Sequence, residues 1–187
     1  MQVQKTSIPG CYQLIPLHFT DNRGSFIKTF HQQEFAQNGL ETNFVESYYS
    51  ISNQRVLRGL HFQVPPWDNI KLIYCLQGKV MDVVVDLRTG SPTYGKYEIF
   101  QLDSEKPGII YIPSGVAHGF YVETGTAIMV YMSTRVHSPQ HDAGIHWKSL
   151  TIPWSDPNPI ISKRDQQLPL FDHISSPFRF SDTIDHN

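Results

Sequence analysis

The sequence predicts an all-β fold, a sandwich or a barrel, and three observations carry that reading. Short apolar runs recur at regular spacing, each bounded by Gly, Pro, Asn, Asp or Ser. Aromatic residues reach 12%, with 9 Tyr and 11 Phe, types that suit a pleated, half-buried surface. Val83-Val84-Val85 is a β-branched run of the kind found in buried strands. A closed or two-sheet form also hides strand edges.

Taken in order, 11–19 reads as a strand and Asp21-Asn22-Arg23-Gly24 as a turn, because Asp, Asn and Gly tolerate turn conformations. A strand follows over 26–30. The clearest helix is 32–38, with Gly39 as its stop. Residues 44–50 alternate and are rich in aromatics. Strands over 71–76 and 80–87 flank Gln77-Gly78-Lys79, a hairpin signal. Further strands are expected over 93–102, 108–112, 119–123 and 126–134. Beyond Pro139, prolines at 153, 157, 159 and 169 interrupt any long element. That stretch is expected to wrap the barrel, with a short helix near 162–166.

A chain of 187 residues is enough for one domain with a sizeable core, expected over 1–174 and followed by a loose polar tail over 175–187. The net charge of -2 and pI near 6.5 argue against nucleic acid or an anionic membrane as partner. Cys11 and Cys75 lack CxxC spacing and neighbouring Cys/His clusters, so neither zinc nor a disulfide framework is expected. No apolar run approaches the roughly 20 residues of a membrane helix. The first residues, 1–9, are polar and carry no secretory pattern, so a cytoplasmic location is expected.

The segment Arg58-Gly59-Leu60-His61-Phe62-Gln63, followed by Lys71, concentrates chemistry on neighbouring strands. A histidine moves protons near neutral pH, an arginine forks onto phosphate or carboxylate, and a lysine steadies a developing oxyanion. The set suggests proton abstraction beside a carbonyl in a phosphorylated substrate. The plain alternative is a half-buried histidine among surface charges.

Several blocks in fixed order carry a resemblance. They are 21–26 (DNRGSF), 56–63 (VLRGLHFQ), 82–88 (DVVVDLR), 91–95 (SPTYG) and 112–120 (IPSGVAHGF), then Tyr131, Ser138-Pro139 and 161–165 (ISKRD). On these the chain resembles the dTDP-4-dehydrorhamnose 3,5-epimerase family from about Ile8 to Phe171. The resemblance implies a cupin-type jelly roll, a double-stranded β-helix, forming a homodimer with a strand exchanged between subunits. It also implies a cofactor-free epimerase acting at C3, C5 or both of a nucleotide-linked 4-keto-6-deoxyhexose, such as dTDP-4-dehydro-6-deoxy-D-glucose.

Residue by residue, His61 matches the family's base, Asp165 the carboxylate that orients it, Tyr131 the acid, and Lys71 the cation at the enolate oxygen. Arg23 and Arg58 match phosphate-contacting positions, with Arg23 reaching the neighbouring subunit's site. Phe26 and Gln63, inside matching blocks, are placed with the substrate-binding residues. His118 resembles the histidine of the second cupin motif; Gln63 stands where the first motif would need a ligand, so no metal is expected and His118 is read as a substrate contact. The chain departs from the family pattern at Lys28, Glu46, Tyr48, Asn69 and His137. All but Asn69 are counted as substrate-binding, and together they point to a different nucleobase or a deoxygenated sugar, a CDP-sugar being one case. The rival readings are a single-centre epimerase, a 3,4-ketoisomerase and a non-catalytic sugar-binding cupin.

Overall fold

The computed structural model describes residues 1–181. Its strands are β1 (Gln2–Lys5), β2 (Tyr12–Ile15), β3 (Leu17–Asp21), β4 (Gly24–Lys28), β5 (Glu46–Asn53) and β6 (Leu57–Gln63). They continue with β7 (Lys71–Asp86), β8 (Tyr97–Asp103), β9 (Ile109–Ile112), β10 (Val116–Ser133) and β11 (Asp142–Gly144). Helix α1 (Gln32–Gln37) lies between β4 and β5, and α2 (Lys163–Gln166) beyond the last strand.

Strands β7 and β10 pair antiparallel along their whole lengths, from Val116 opposite Asp86 to Ser133 opposite Lys71. Their register slips between Val122 and Met129, and there both strands bend. On one side of the bend β7 pairs β9 and β10 pairs β5, with β2 and β1 beyond β9. On the other side β7 pairs β8 and β10 pairs β6, with β11 beyond β6. The two halves make the two faces of a jelly roll, and both faces share the same two strands.

The period of two then assigns each side chain. Ile73, Cys75, Val80 and Val84 of β7 pack inward with Val116, Phe120, Val122, Ala127, Met129 and Tyr131 of β10. Met81, Val83 and Val85 face outward, under Ile145, Trp147, Ile152 and Phe178 of the C-terminal segment. The valine run is thus buried on both sides, which is why it shows no polar alternation. Helix α1 covers the other face through Phe35, which packs with Leu14, Leu72 and Ile109. His31 caps that helix, accepting from the Glu34 amide at 3.4 Å, and Gly39 follows it at φ +69°.

Several expectations are corrected here. The hairpin at Gln77-Gly78-Lys79 is a bend within a continuous β7. Gly78 sits at φ +82°, and a Cβ there would lie 2.6 Å from the Thr126 carbonyl, so glycine serves the close approach of two bent strands. The runs 119–123 and 126–134 are likewise one strand, β10. The run 11–19 divides at Pro16, which has no amide hydrogen to give a ladder. Residues 2–5, unassigned in the sequence, pair with β2.

The segment from Ser175 is docked as far as Phe180, where a loose tail was expected. The Thr89 amide donates to the Phe178 carbonyl at 3.0 Å, the Phe180 amide donates to the Thr89 carbonyl at 2.9 Å, and Phe178 is buried. The rest of that expectation, over 182–187, lies outside the described residues. Among the described residues no helix is long and apolar enough to cross a membrane.

Candidate active site

A cavity of about 430 Å³ lies among the inward-facing residues of β5, β6, β7 and β10. Lys71 enters it from the start of β7, one period before Ile73. His118 and Tyr131 enter from β10, on the same parity as the core residues Phe120 and Met129. Glu46, Tyr48 and Ser50 enter from alternate positions of β5.

Arg58 and His61 are three apart on one strand, so a regular β6 would send them to opposite faces. It is not regular. His61 pairs with His118, but Arg58 pairs with Phe120, so three steps on β6 match two on β10. This bulge turns both side chains into the cavity. It depends on two glycines in contact: a Cβ on Gly59, which sits at φ +122°, would lie 2.5 Å from the Gly119 Cα.

Asp165 is held behind His61 rather than in the cavity wall. Its helix α2 starts at Ser162, whose hydroxyl accepts the Asp165 amide at 3.0 Å. The carboxylate lies 2.7 Å from His61 Nε2 through Oδ1 and accepts the Gly59 amide at 3.3 Å through Oδ2. Burial opposes its charge, but the His61 hydrogen bond and charge, the Gly59 amide and Arg164 together hold the carboxyl below its ordinary range. An ionised Asp165 assigns the proton to Nε2 and leaves Nδ1 of His61 with the free lone pair. Arg164 Nη1 stands 3.5 Å from the same Nε2 and Nη2 pairs with Asp142 at 2.7 Å, adding a charge contact beside the ring.

Lys71 Nζ donates to the His61 carbonyl at 3.4 Å. Desolvation brings its ammonium down to about 8, against an opposing pull from Asp142 and with help from Arg164. Tyr131 is buried, and burial, with smaller contributions from Tyr48 and Asp82, pushes its phenol well above the ordinary tyrosine value. Its oxygen lies 3.5 Å from Ser50 Oγ. Arg58 Nε donates to Ser52 Oγ at 2.9 Å. The chemistry available is a base with a fixed tautomer, a phenol that keeps its proton, and an ammonium near neutrality.

His118 is also paired, its Nε2 lying 2.7 Å from Asp82 Oδ2 in the barrel interior. Gln63 lines the cavity, but its amide is engaged on the protein: Nε2 donates to the Trp67 carbonyl at 2.9 Å and Oε1 accepts the Ser138 amide at 2.6 Å. Glu46 accepts the His137 amide at 3.1 Å, which ties two of the departing positions together at the rim. Arg23, Phe26 and Lys28 are not brought to this cavity. They belong to the two-stranded β3–β4 hairpin, where Arg23 pairs with Asp21 at 2.6 Å and its side chain is 86% exposed. Sequence reasoning gave no role to Arg135, Asp142 or Arg164, which also line the cavity; Arg164 adjoins Asp165, the one signal that could have found it.

A jelly roll whose open cavity gathers histidine, lysine and tyrosine defines a protein of the cupin class built for proton chemistry. The chain belongs to the dTDP-4-dehydrorhamnose 3,5-epimerase family, whose sequence model matches residues 5–173. It is 40% identical over 168 residues to the dTDP-4-dehydrorhamnose 3,5-epimerase of Shigella flexneri, covering 88% of this chain and 93% of that one. It is 35% identical over 169 residues to the dTDP-4-dehydrorhamnose 3-epimerase of Streptomyces niveus, covering 89% and 82%. A similar solved structure is dTDP-6-deoxy-D-glucose-3,5-epimerase from Legionella pneumophila in complex with dTDP-4-keto-L-rhamnose, at TM-score 0.91 and 32% identity, covering 96% and 98%. The protein is therefore an isomerase, an epimerase of nucleotide-linked 4-keto-6-deoxy sugars.

Proposed function

We propose that the protein inverts C3, C5 or both of its sugar without a cofactor, using His61 as base and Tyr131 as acid. The single observation that carries this reading is the 2.7 Å contact between His61 Nε2 and an ionised, buried Asp165, in a cavity shared with Tyr131 and Lys71. His61 Nδ1 takes the proton from the carbon beside the C4 ketone, and Asp165 steadies the imidazolium. The C–H electrons move into an enolate whose oxygen faces the Lys71 ammonium. Tyr131 gives its proton to the opposite face of that carbon. His61 then releases its proton and the tyrosinate regains one, so the net change is configuration alone.

Arg58 suits the diphosphate from within the cavity. Arg23, with Phe26 beside it, suits the same group only in a second copy of the chain, because its hairpin stands away from its own cavity. The exposed apolar side chains Phe19 (59%) and Phe26 (60%) support a dimer in which the hairpin is exchanged. A second reading, inversion at one centre, is favoured by the likeness to the 3-epimerase of Streptomyces niveus. Glu46, Tyr48 and His137 at the cavity, with Lys28 on the hairpin, are the positions that would set a nucleobase or sugar other than the commonest one.

The test is deuterium incorporation from heavy water into dTDP-4-keto-6-deoxyglucose, followed at C3 and C5 by NMR beside a His61→Ala variant. Incorporation at both carbons, abolished in the variant, is expected for a 3,5-epimerase; incorporation at one carbon selects the single-centre reading. Exchange that survives His61→Ala would remove His61 as the base.

A further inference from the structure

We infer that Tyr48 is a positioning residue for Tyr131: its ring, stacked on that phenol, holds the proton donor in one orientation, and inversion by this chain depends on the stack. The inference rests on the proposed reading and gives Tyr48, named there as a specificity position, a second role in proton delivery.

Tyr48 and Tyr131 are direct cross-strand partners on β5 and β10. Their centroids are 4.8 Å apart and their planes 12° from parallel, at the near end of the range for paired aromatics. Beyond its packing in the core, the hydrogen bond and the other ring contact of Tyr131 are looser. Ser50 Oγ is at the outer limit of a hydrogen bond, 3.5 Å away, and His118 meets the ring edge-on at 6.2 Å between centroids. Neither lies flat against the ring; Tyr48 does, and so opposes a swing of the ring along its normal.

A donor that must reach one face of one carbon needs its ring held in place, since the phenol oxygen swings with χ1 while χ2 only spins the ring about the axis that carries it. A misplacement of about 1 Å costs on the order of 10²-fold in rate. Proton removal by His61 makes no such demand on Tyr131. Loss of the stack therefore separates two events that the intact site couples: removal of the proton, and its delivery from the other side. For holding Tyr131 the stacked ring of Tyr48 is the working part, and its hydroxyl takes no part in that stack.

The test uses the full chain in heavy water with 4-keto-6-deoxyglucose supplied as its dTDP, CDP and GDP forms. NMR scores deuterium incorporation with retention and with inversion separately, for the parent protein, Tyr48→Ala and Tyr48→Phe, and a melting curve shows that each is folded. In Tyr48→Ala the ratio of inversion to total incorporation is expected to fall about 10²-fold. Tyr48→Phe, which keeps the ring, is expected to recover it. The inference is overturned if folded Tyr48→Ala keeps the parent ratio, if incorporation and inversion fall together, or if Tyr48→Phe is as impaired as Tyr48→Ala. A parent protein that incorporates no deuterium into any of the three removes the epimerisation reading itself and the inference with it, and that result is visible before any substitution is made.

Discussion

At the scale of single residues, Lys71 makes the sharpest demand on pH. Only its ammonium form can steady an enolate, and that form is lost as pH rises through about 8, where an ordinary lysine keeps its charge to about 10.4. The expected result is a fall of kcat/KM above about pH 8, with Lys71→Met removing that limb and lowering kcat by about 10²–10³-fold. Asp165→Asn keeps the shape but loses the charge proposed to steady the imidazolium. Its kcat is expected to drop by about 10²–10⁴-fold in steady-state assays. His61, Lys71 and Arg58 were legible as reactive types in one short segment. That Arg58 and His61 share a face was not, because it rests on a bulge set by contact with Gly119, far away in the chain. Asp142 and Arg164 escaped notice because the proline-broken segment that carries them has no periodicity to assign a face.

At the scale of elements, the β6 bulge and the β7–β8 connection are where small changes cost most. Gly59→Ala would push a Cβ against the Gly119 backbone from a left-handed position, and overpacking of this kind costs about 1–3 kcal/mol before strain is added. It would also displace the amide that Asp165 accepts, so a lowered melting temperature together with lost activity is expected. Asp86 at the end of β7 is fully buried and accepts from Arg88 Nε at 2.8 Å, Ser91 Oγ at 2.6 Å and Thr93 Oγ1 at 2.7 Å. Burial disfavours its charge, but these bonds outweigh burial and lower the carboxyl below its ordinary range. Its stabilisation is therefore present above the ordinary carboxylate range and lost as pH falls through the lowered value. Asp86→Ala strands the Arg88 charge and is expected to destabilise by about 3–5 kcal/mol in denaturant titration. The all-β class and most strand positions were legible from alternation and turn residues. The continuity of β7 through Gly78 was not, since a glycine that turns a chain back and one that bends it past a neighbour look alike locally.

At the scale of the whole molecule, the β3–β4 hairpin, with Phe19 and Phe26 bare, is a part that a single chain leaves uncovered. Changing Phe19 and Phe26 together to Asp is expected to give a monomer by light scattering with KM raised and the barrel intact by circular dichroism. An unchanged particle size would remove the exchanged-hairpin dimer. The family blocks around the hairpin were legible in sequence, and the resemblance placed Arg23 at a neighbouring subunit's site; a single chain shows only that Arg23 lies away from its own cavity. Asp165 belongs to the C-terminal segment, outside the strands that enclose His61. Every strand of the barrel is synthesised before Asp165, the carboxylate proposed to arm the histidine. On that proposal a partly refolded barrel turns over only once its C-terminal segment seats, so recovered activity should trail recovered β-structure after dilution from denaturant.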